Sequence, residues 1–298
     1  VQPPEHKQPA TPQSNARTAT LTATAVVAFA ANSLLCRTAL TGGLIDAASF
    51  TSIRIASGAL ILALLLFLRR RPSTLEPTNL WAALMLFAYM AFFSFAYLSL
   101  GAGTGALILF GAVQLTMFVA ALRGGEHFPI KAWAGLLLAV VGLVYLLSPG
   151  LSAPDPKGAA LMALAGVAWG FYSLIGKRIA NPLAATTKNF LTCVPLAAVA
   201  SLFFLEGFNI SPLGIGLAVA SGALTSGLGY VIWYAALPGL TASRAATVQL
   251  SVPAIAAFGG AFLLSEDITA RLLIASAATL GGVAIVLMQK TKKAQKSA

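Results

Sequence analysis

The sequence predicts an all-α polytopic membrane protein: ten transmembrane helices arranged as two inverted five-helix repeats. Three observations carry this. Of 298 residues, 58% are apolar and only 9% charged, with a mean hydropathy of +0.85, whereas soluble domains are about 25% charged. The apolar residues gather into ten long runs, each near the roughly 20 residues that cross a bilayer core. Short matching motifs then recur in the same order in the two halves. The composition also excludes a disordered chain, since disorder goes with low hydrophobicity.

Each run is bounded by residues that punctuate helices. Span 1 (18–40) stops at Gly42-Gly43, and span 2 (47–68) at Arg71-Pro72. Span 3 (79–100) opens on Trp81 and ends at Gly101-Ala102-Gly103. Span 4 (103–123) ends at Gly124-Gly125, and span 5 (130–148) opens on Trp133 and ends at Pro149-Gly150. Span 6 (157–177) runs to Asn181-Pro182, span 7 (182–205) to Ser211-Pro212, and span 8 (212–236) to Pro238-Gly239. Span 9 (241–264) contains Pro253, and span 10 (270–289) closes the set. Strands of a membrane barrel are about 10 residues with alternating polarity, so helices are the reading. Residues 1–16, rich in Pro, Gln and Thr, read as a disordered tail without the apolar core of a signal peptide. The halves are expected at 17–150 and 151–289, followed by a basic tail at 290–298.

A net charge of +11 and a pI near 10.1 raise nucleic acid as a partner, but the bases sort by membrane face instead. With the N-terminus inside, fourteen of the nineteen Lys and Arg fall on the inner side, including Arg69, Arg70, Arg71, Lys177, Arg178, Lys292 and Lys293. Only Arg37, Lys157 and Arg271 fall outside, and Arg54 and Lys188 lie within spans. The positive-inside rule places both termini in the cytoplasm of a bacterial inner membrane. The expected partners are the lipid bilayer and a small-molecule substrate, with no nucleic acid, and a monomer suffices. Cys36 and Cys193 lie inside apolar runs and read as buried thiols.

Ser33-Leu34-Leu35-Cys36-Arg37 matches Ser173-Leu174-Ile175-Gly176-Lys177 at a shift of 140, as Glu126 and Gly142 match Glu266 and Gly282. Tyr97, Leu100 and Thr104 match Tyr234, Leu237 and Thr241 at a shift of 137, and Arg54 falls near Lys188. Five spans per half is an odd number, so the halves insert with opposite orientation. Inverted repeats are a common transporter design, with the site at the repeat interface.

These features resemble the drug/metabolite transporter superfamily, EamA type. The stretches that carry the resemblance are Arg54, Leu122-Arg123-Gly124-Gly125-Glu126, and Pro253 through Leu263-Leu264-Ser265-Glu266. It covers residues 18 to 289, with one departure: Val113 stands where the second half has Pro253. The resemblance implies a carrier of amino acids, sugars, nucleotide sugars, drugs or other metabolites. The aromatic residues below look most like the bacterial aromatic amino-acid exporters.

All eight acids lie in tails, loops or helix ends, and both His lie outside the spans. A buried carboxylate is a common device for proton coupling, so transport is expected to be facilitative or weakly coupled through some other group. Glu126 and Glu266 read as structural, each favouring the positive end of the helix that follows it, with gating as the alternative. Arg54 and Lys188 sit about seven residues into their spans, where snorkelling, anion pairing and gating are all open. Tyr89, Phe93 and Tyr97 share one face of span 3. Trp169 and Tyr172 neighbour one another in span 6, and Tyr230, Trp233 and Tyr234 in span 8. With Asn32, Gln114, Ser226, Gln249 and Ser251 they describe a pocket with aromatic walls and few polar atoms, or else ordinary packing. Pro253 removes a backbone hydrogen bond and is expected to act as a hinge in span 9. No cofactor is expected, and no Gly-x-x-x-x-Gly-Lys-Ser/Thr pattern exists to hold nucleotide. An intramembrane enzyme would need a convergent His or acid, and none lies in a span. The readings left are an amino-acid exporter, a drug or nucleotide-sugar carrier, and a non-transporting scaffold.

Overall fold

A computed structural model describes residues 15–69, 79–150, 152–176, 179, 181–240, 242–289 and 292–293. Most of both expected tails, together with the basic residues Arg70, Arg71, Lys177 and Arg178, lies outside the described residues. The helices are α1 (Asn15–Thr41), α2 (Ala47–Leu68), α3 (Leu80–Ala96), α4 (Ala102–Arg123), α5 (Ile130–Leu147), α6 (Pro156–Gly176) and α7 (Pro182–Ser201). Then come α8 (Pro212–Val219), a π-helical stretch Ala220–Leu228, α9 (Gly229–Ala236), α10 (Ala242–Gln249), α11 (Ser251–Leu264) and α12 (Ala270–Met288). Among the described residues nine helical segments are long and apolar enough to cross a membrane, and α3 is a shorter apolar helix. The chain is therefore an all-α, multi-pass membrane protein.

Polar side chains fix several helix starts by accepting a free backbone N–H. Asp46 accepts from Ser49, Asn79 from Ala82, Asn181 from Ala184, Ser211 from Gly214 and Thr269 from Leu272. Trp81 and Trp133 are exposed at the starts of α3 and α5, as expected of interfacial anchors.

Packing follows a two-fold pattern. Corresponding spans pair across the halves: α5 with α12, α2 with α7, and α4 with α11. Contacts of α3 with α6 are mirrored by those of the π-helical stretch and α9 with α1, and α4 with α6 by α11 with α1. Close approach explains the glycines here. A Cβ on Gly282 would overlap the backbone of Gly135 and Ala139, so only glycine lets α12 lie this near α5.

Among the described residues, turns meet on each face of the bundle. On the face opposite the N-terminus, Ile45 bridges Ile210, and Ser99 donates to Asp155 at 2.9 Å. On the N-terminal face, Glu126–His127 (β1) pairs antiparallel with Lys292–Lys293 (β2).

Two expectations change. Span 9 is interrupted for a single residue, Leu250, between α10, which ends at Gln249, and α11, which starts at Ser251, and Leu250 itself keeps a right-handed helical backbone. Pro253 is the third residue of α11; it has no N–H to offer the Gln249 carbonyl, so the ladder cannot continue through this point. Span 8 carries the wide π turn, and its small residues let that turn lie against α1 and α2. An interior Pro195 in α7 played no part in the sequence reading.

Candidate functional site: a central aromatic chamber

The chamber is lined by Phe29, Asn32 and Ser33 of α1, Tyr89 and Phe93 of α3, and Leu109 and Phe110 of α4. The second half supplies Trp169 of α6, Thr225 and Ser226 of the π stretch, Tyr230 of α9 and Gln249 at the α10 break. Trp169 is the hub, with ring centroids 4.8 Å from Tyr89, 5.1 Å from Tyr230 and 5.4 Å from Tyr172. Phe29 meets Tyr230 edge-on at 6.1 Å. The free space among these side chains is about 30 Å³, room for a water or two. A larger ligand enters only if the helices part.

The polar atoms come in two sets. Asn32, 5% exposed, accepts at Oδ1 from Ser221 (2.7 Å) and Thr225 (3.1 Å). Arg54 is fully buried. Its Nε donates to Ser226 Oγ at 3.2 Å and its Nη2 to the Tyr89 hydroxyl at 3.3 Å, while Nη1 has no hydrogen-bond partner among the described residues. Its guanidinium carbon lies 4.8 Å from the Phe93 ring centre and 5.5 Å from that of Tyr89. The sequence explains this placement. A Cβ on Gly222 would overlap the Arg54 carbonyl, so glycine brings the π stretch onto α2, and Ser226 lies further along the same stretch. Cation–π contact offsets part of the cost of burial, which on insertion scales is at least about 2.5–3.5 kcal/mol for a cation at bilayer depth. Burial at this depth overturns snorkelling for Arg54. Lys188 is only half-buried, so the two cations do not occupy equivalent surroundings.

Seven of the expected lining residues meet here: Asn32, Tyr89, Phe93, Trp169, Ser226, Tyr230 and Gln249, while Ser251 is exposed and lines neither cavity. Tyr97 packs on Phe93 at 4.8 Å but donates to the Ala102 carbonyl, beside the chamber. Tyr172 and Tyr234 line a smaller cavity toward the N-terminal face, with Thr186 and Asn189. Trp233 packs on Phe29 at 5.8 Å behind the wall. Gln114 is half-buried on α4 and lines neither cavity. Phe29, Ser33, Leu109, Phe110 and Thr225 went unnoticed in the sequence. Phe29 lies three before Asn32 and four before Ser33, the spacings that place residues on one helix face.

On the face opposite the N-terminus, Glu266 ties α1 to the start of α4. Its carboxylate accepts from Arg37 Nε at 2.8 Å and from the Ala102 N–H at 2.7 Å. Arg37 Nη1 also donates to the Tyr97 carbonyl at 3.0 Å. Glu266 thus caps α4, not the following helix α12, which Thr269 caps. Glu126 pairs in the short β1–β2 ladder rather than capping α5. Outside the spans, Asp155 accepts from the Gly158 N–H and the Ser99 hydroxyl, which hold its carboxyl below the usual range.

A bundle of membrane-crossing helices, three of whose spans pair with their counterparts, around a central chamber is the build of a multi-pass carrier. A profile of the EamA-like transporter family matches residues 156–288. An uncharacterized protein of Pseudomonas aeruginosa is 52% identical over 278 residues, covering 93% of this chain and 97% of that one. The threonine/homoserine exporter RhtA of Salmonella typhimurium is 30% identical over 246 residues, covering 80% of each chain. RhtA of Escherichia coli is 28% identical, covering 85% of this chain and 84% of the exporter. A crystal structure 19% identical in sequence matches with a TM-score of 0.65 over 90% of this chain and 98% of that one, which supports the fold. The chain belongs to the EamA-like transporter family, within the drug/metabolite transporter superfamily.

Proposed function

We propose that this transporter moves small amphiphilic amino acids, aromatic ones among them, outward across the bacterial inner membrane. Alternating access between the two halves carries the ligand, with both termini in the cytoplasm. The observation that carries the reading is the chamber's shared wall. Asn32, Tyr89 and Phe93 come from one half, and Trp169, Tyr230 and Gln249 from the other, so rocking the halves exposes the same residues to either side. Aromatic walls with few polar groups suit a small ligand with one polar end. The excess of Lys and Arg on the N-terminal face supports its cytoplasmic placement. Relatives named as threonine/homoserine exporters support both the substrate class and the direction.

Every described acid lies at a helix end or in a turn, so none of the described carboxylates is placed inside a span to trade a proton for substrate. Transport is accordingly facilitative. The test is counterflow in proteoliposomes with a panel of neutral and aromatic amino acids, each also tried under a pH gradient alone. The expected result is exchange of at least one of them and no uphill accumulation from the pH gradient. Absence of exchange across the panel would turn the reading toward a drug or nucleotide-sugar carrier, and pH-driven accumulation would overturn the facilitative mechanism.

A further inference from the structure

Alternating access leaves Arg54 unexplained. It holds a full positive charge with no exposed surface, inside a span. Its two bonded nitrogens have neutral partners, Ser226 and Tyr89, and Nη1 has none among the described residues. An ion pair among the described residues, Arg37 with Glu266, lies at the end of the bundle, and no described acid lies in the interior of a span. A buried guanidinium with neutral partners and unused donors is an anion site without its anion.

Its position fits a ligand. Tyr89, Phe93 and Ser226 surround Arg54 and also line the chamber. The guanidinium therefore stands one side chain behind the wall, and the chamber must widen there or nearby to admit any metabolite.

We propose that the chamber selects its ligand by charge, through Arg54. A carboxylate pairs with the guanidinium, which already has the planar donor geometry for it. The ligand's ammonium, where it has one, rests against the ring faces of Tyr89, Trp169 and Tyr230 and the amide oxygen of Gln249. The class is small carboxylates of net charge zero or minus one. Net cations are rejected, because a second positive charge beside Arg54 at low dielectric is strongly repelled. This rests on the transporter reading of the chamber, but the carboxylate contact does not depend on the ligand being an amino acid.

The experiment is ligand binding to the purified, full-length protein by calorimetric titration. The probes are threonine and phenylalanine, their primary amides, and their 2-hydroxy acid analogues. Wild type is expected to bind the acids about 10- to 100-fold more tightly than the amides, the range for one charge-assisted hydrogen bond. Arg54→Gln is expected to shrink that ratio below about threefold, and Arg54→Lys to keep part of it. A structural role alone would lower thermal stability and leave the ratio untouched. Equal binding of acid and amide by wild type would overturn the proposal, and this needs no variant that folds poorly. An unchanged ratio in Arg54→Gln would overturn it too. Binding of the hydroxy acids without the amino acids would uphold the anion site and defeat the amino-acid reading, while no binding by any probe would defeat both.

Discussion

Glu266→Gln tests how the face opposite the N-terminus is held closed. The carboxylate joins Arg37 of α1, the start of α4 and the turn before α12 by contacts of 2.8 and 2.7 Å. The substitution keeps size and an amide oxygen and removes the charge. Two charge-assisted bonds weaken, each of the type worth about 1.5–3 kcal/mol when intact. The side chains of Arg37 and Glu266 are 18% and 20% exposed, so screening lowers the figure toward the surface-pair range of about 0–1 kcal/mol. A net loss of about 1–2 kcal/mol raises the open population of this face by about 5- to 30-fold. Cys36 reports it, being fully buried and next to Arg37 in the chain. In a Cys193→Ser background, labelling of Cys36 by a membrane-impermeant maleimide from that side is expected to accelerate by the same factor. Labelling unchanged within twofold, or slowed, would refute the idea that Glu266 latches this face.

Other outcomes follow from the packing and capping. Gly282→Val forces α12 away from Gly135 and Ala139 and is expected to cost about 1–3 kcal/mol, seen as a lower thermal midpoint in detergent. Asn32→Ala removes the shared acceptor of Ser221 and Thr225; the midpoint is expected to fall by the equivalent of about 0.6–1.7 kcal/mol. The Asp155 carboxyl is lowered by its bonds to Gly158 and Ser99. Its contribution is therefore complete above the usual carboxylate pKa and fades as pH falls through the lowered value. In a thermal scan against pH, Asp155→Asn is expected to lie below wild type near neutrality and to converge with it in acid.

Fold and site were legible to different depths. Hydropathy with Gly and Pro punctuation located the spans, because bilayer crossing imposes a length and an apolar run that any sequence must show. The Asn32, Tyr89, Phe93, Trp169, Tyr230 and Gln249 positions were legible because aromatic and amide residues are conspicuous inside apolar helices. The interruption at Leu250 was not, since Pro253 signals a lost hydrogen bond but not at which residue the ladder yields. The partner of Glu266 was also hidden: its binding to Ala102 joins residues 164 positions apart, and sequence favours the nearest helix start. Arg54 and Lys188 look equivalent by register, yet only Arg54 is enclosed, because Gly222 lets the π stretch close over α2. Phe29, Leu109 and Phe110 were passed over because apolar lining residues look like every other apolar residue in such helices.

The claim at the centre is that one ligand sits against Trp169, between the halves. Equilibrium binding of a radiolabelled amino acid active in counterflow measures this directly, in wild type, Trp169→Ala and Trp81→Ala. The expected result is one saturable site per chain, weakened at least tenfold by Trp169→Ala and unchanged by Trp81→Ala, since Trp81 is exposed at a helix start. Wild-type affinity in Trp169→Ala would contradict the assignment of the chamber as the binding site.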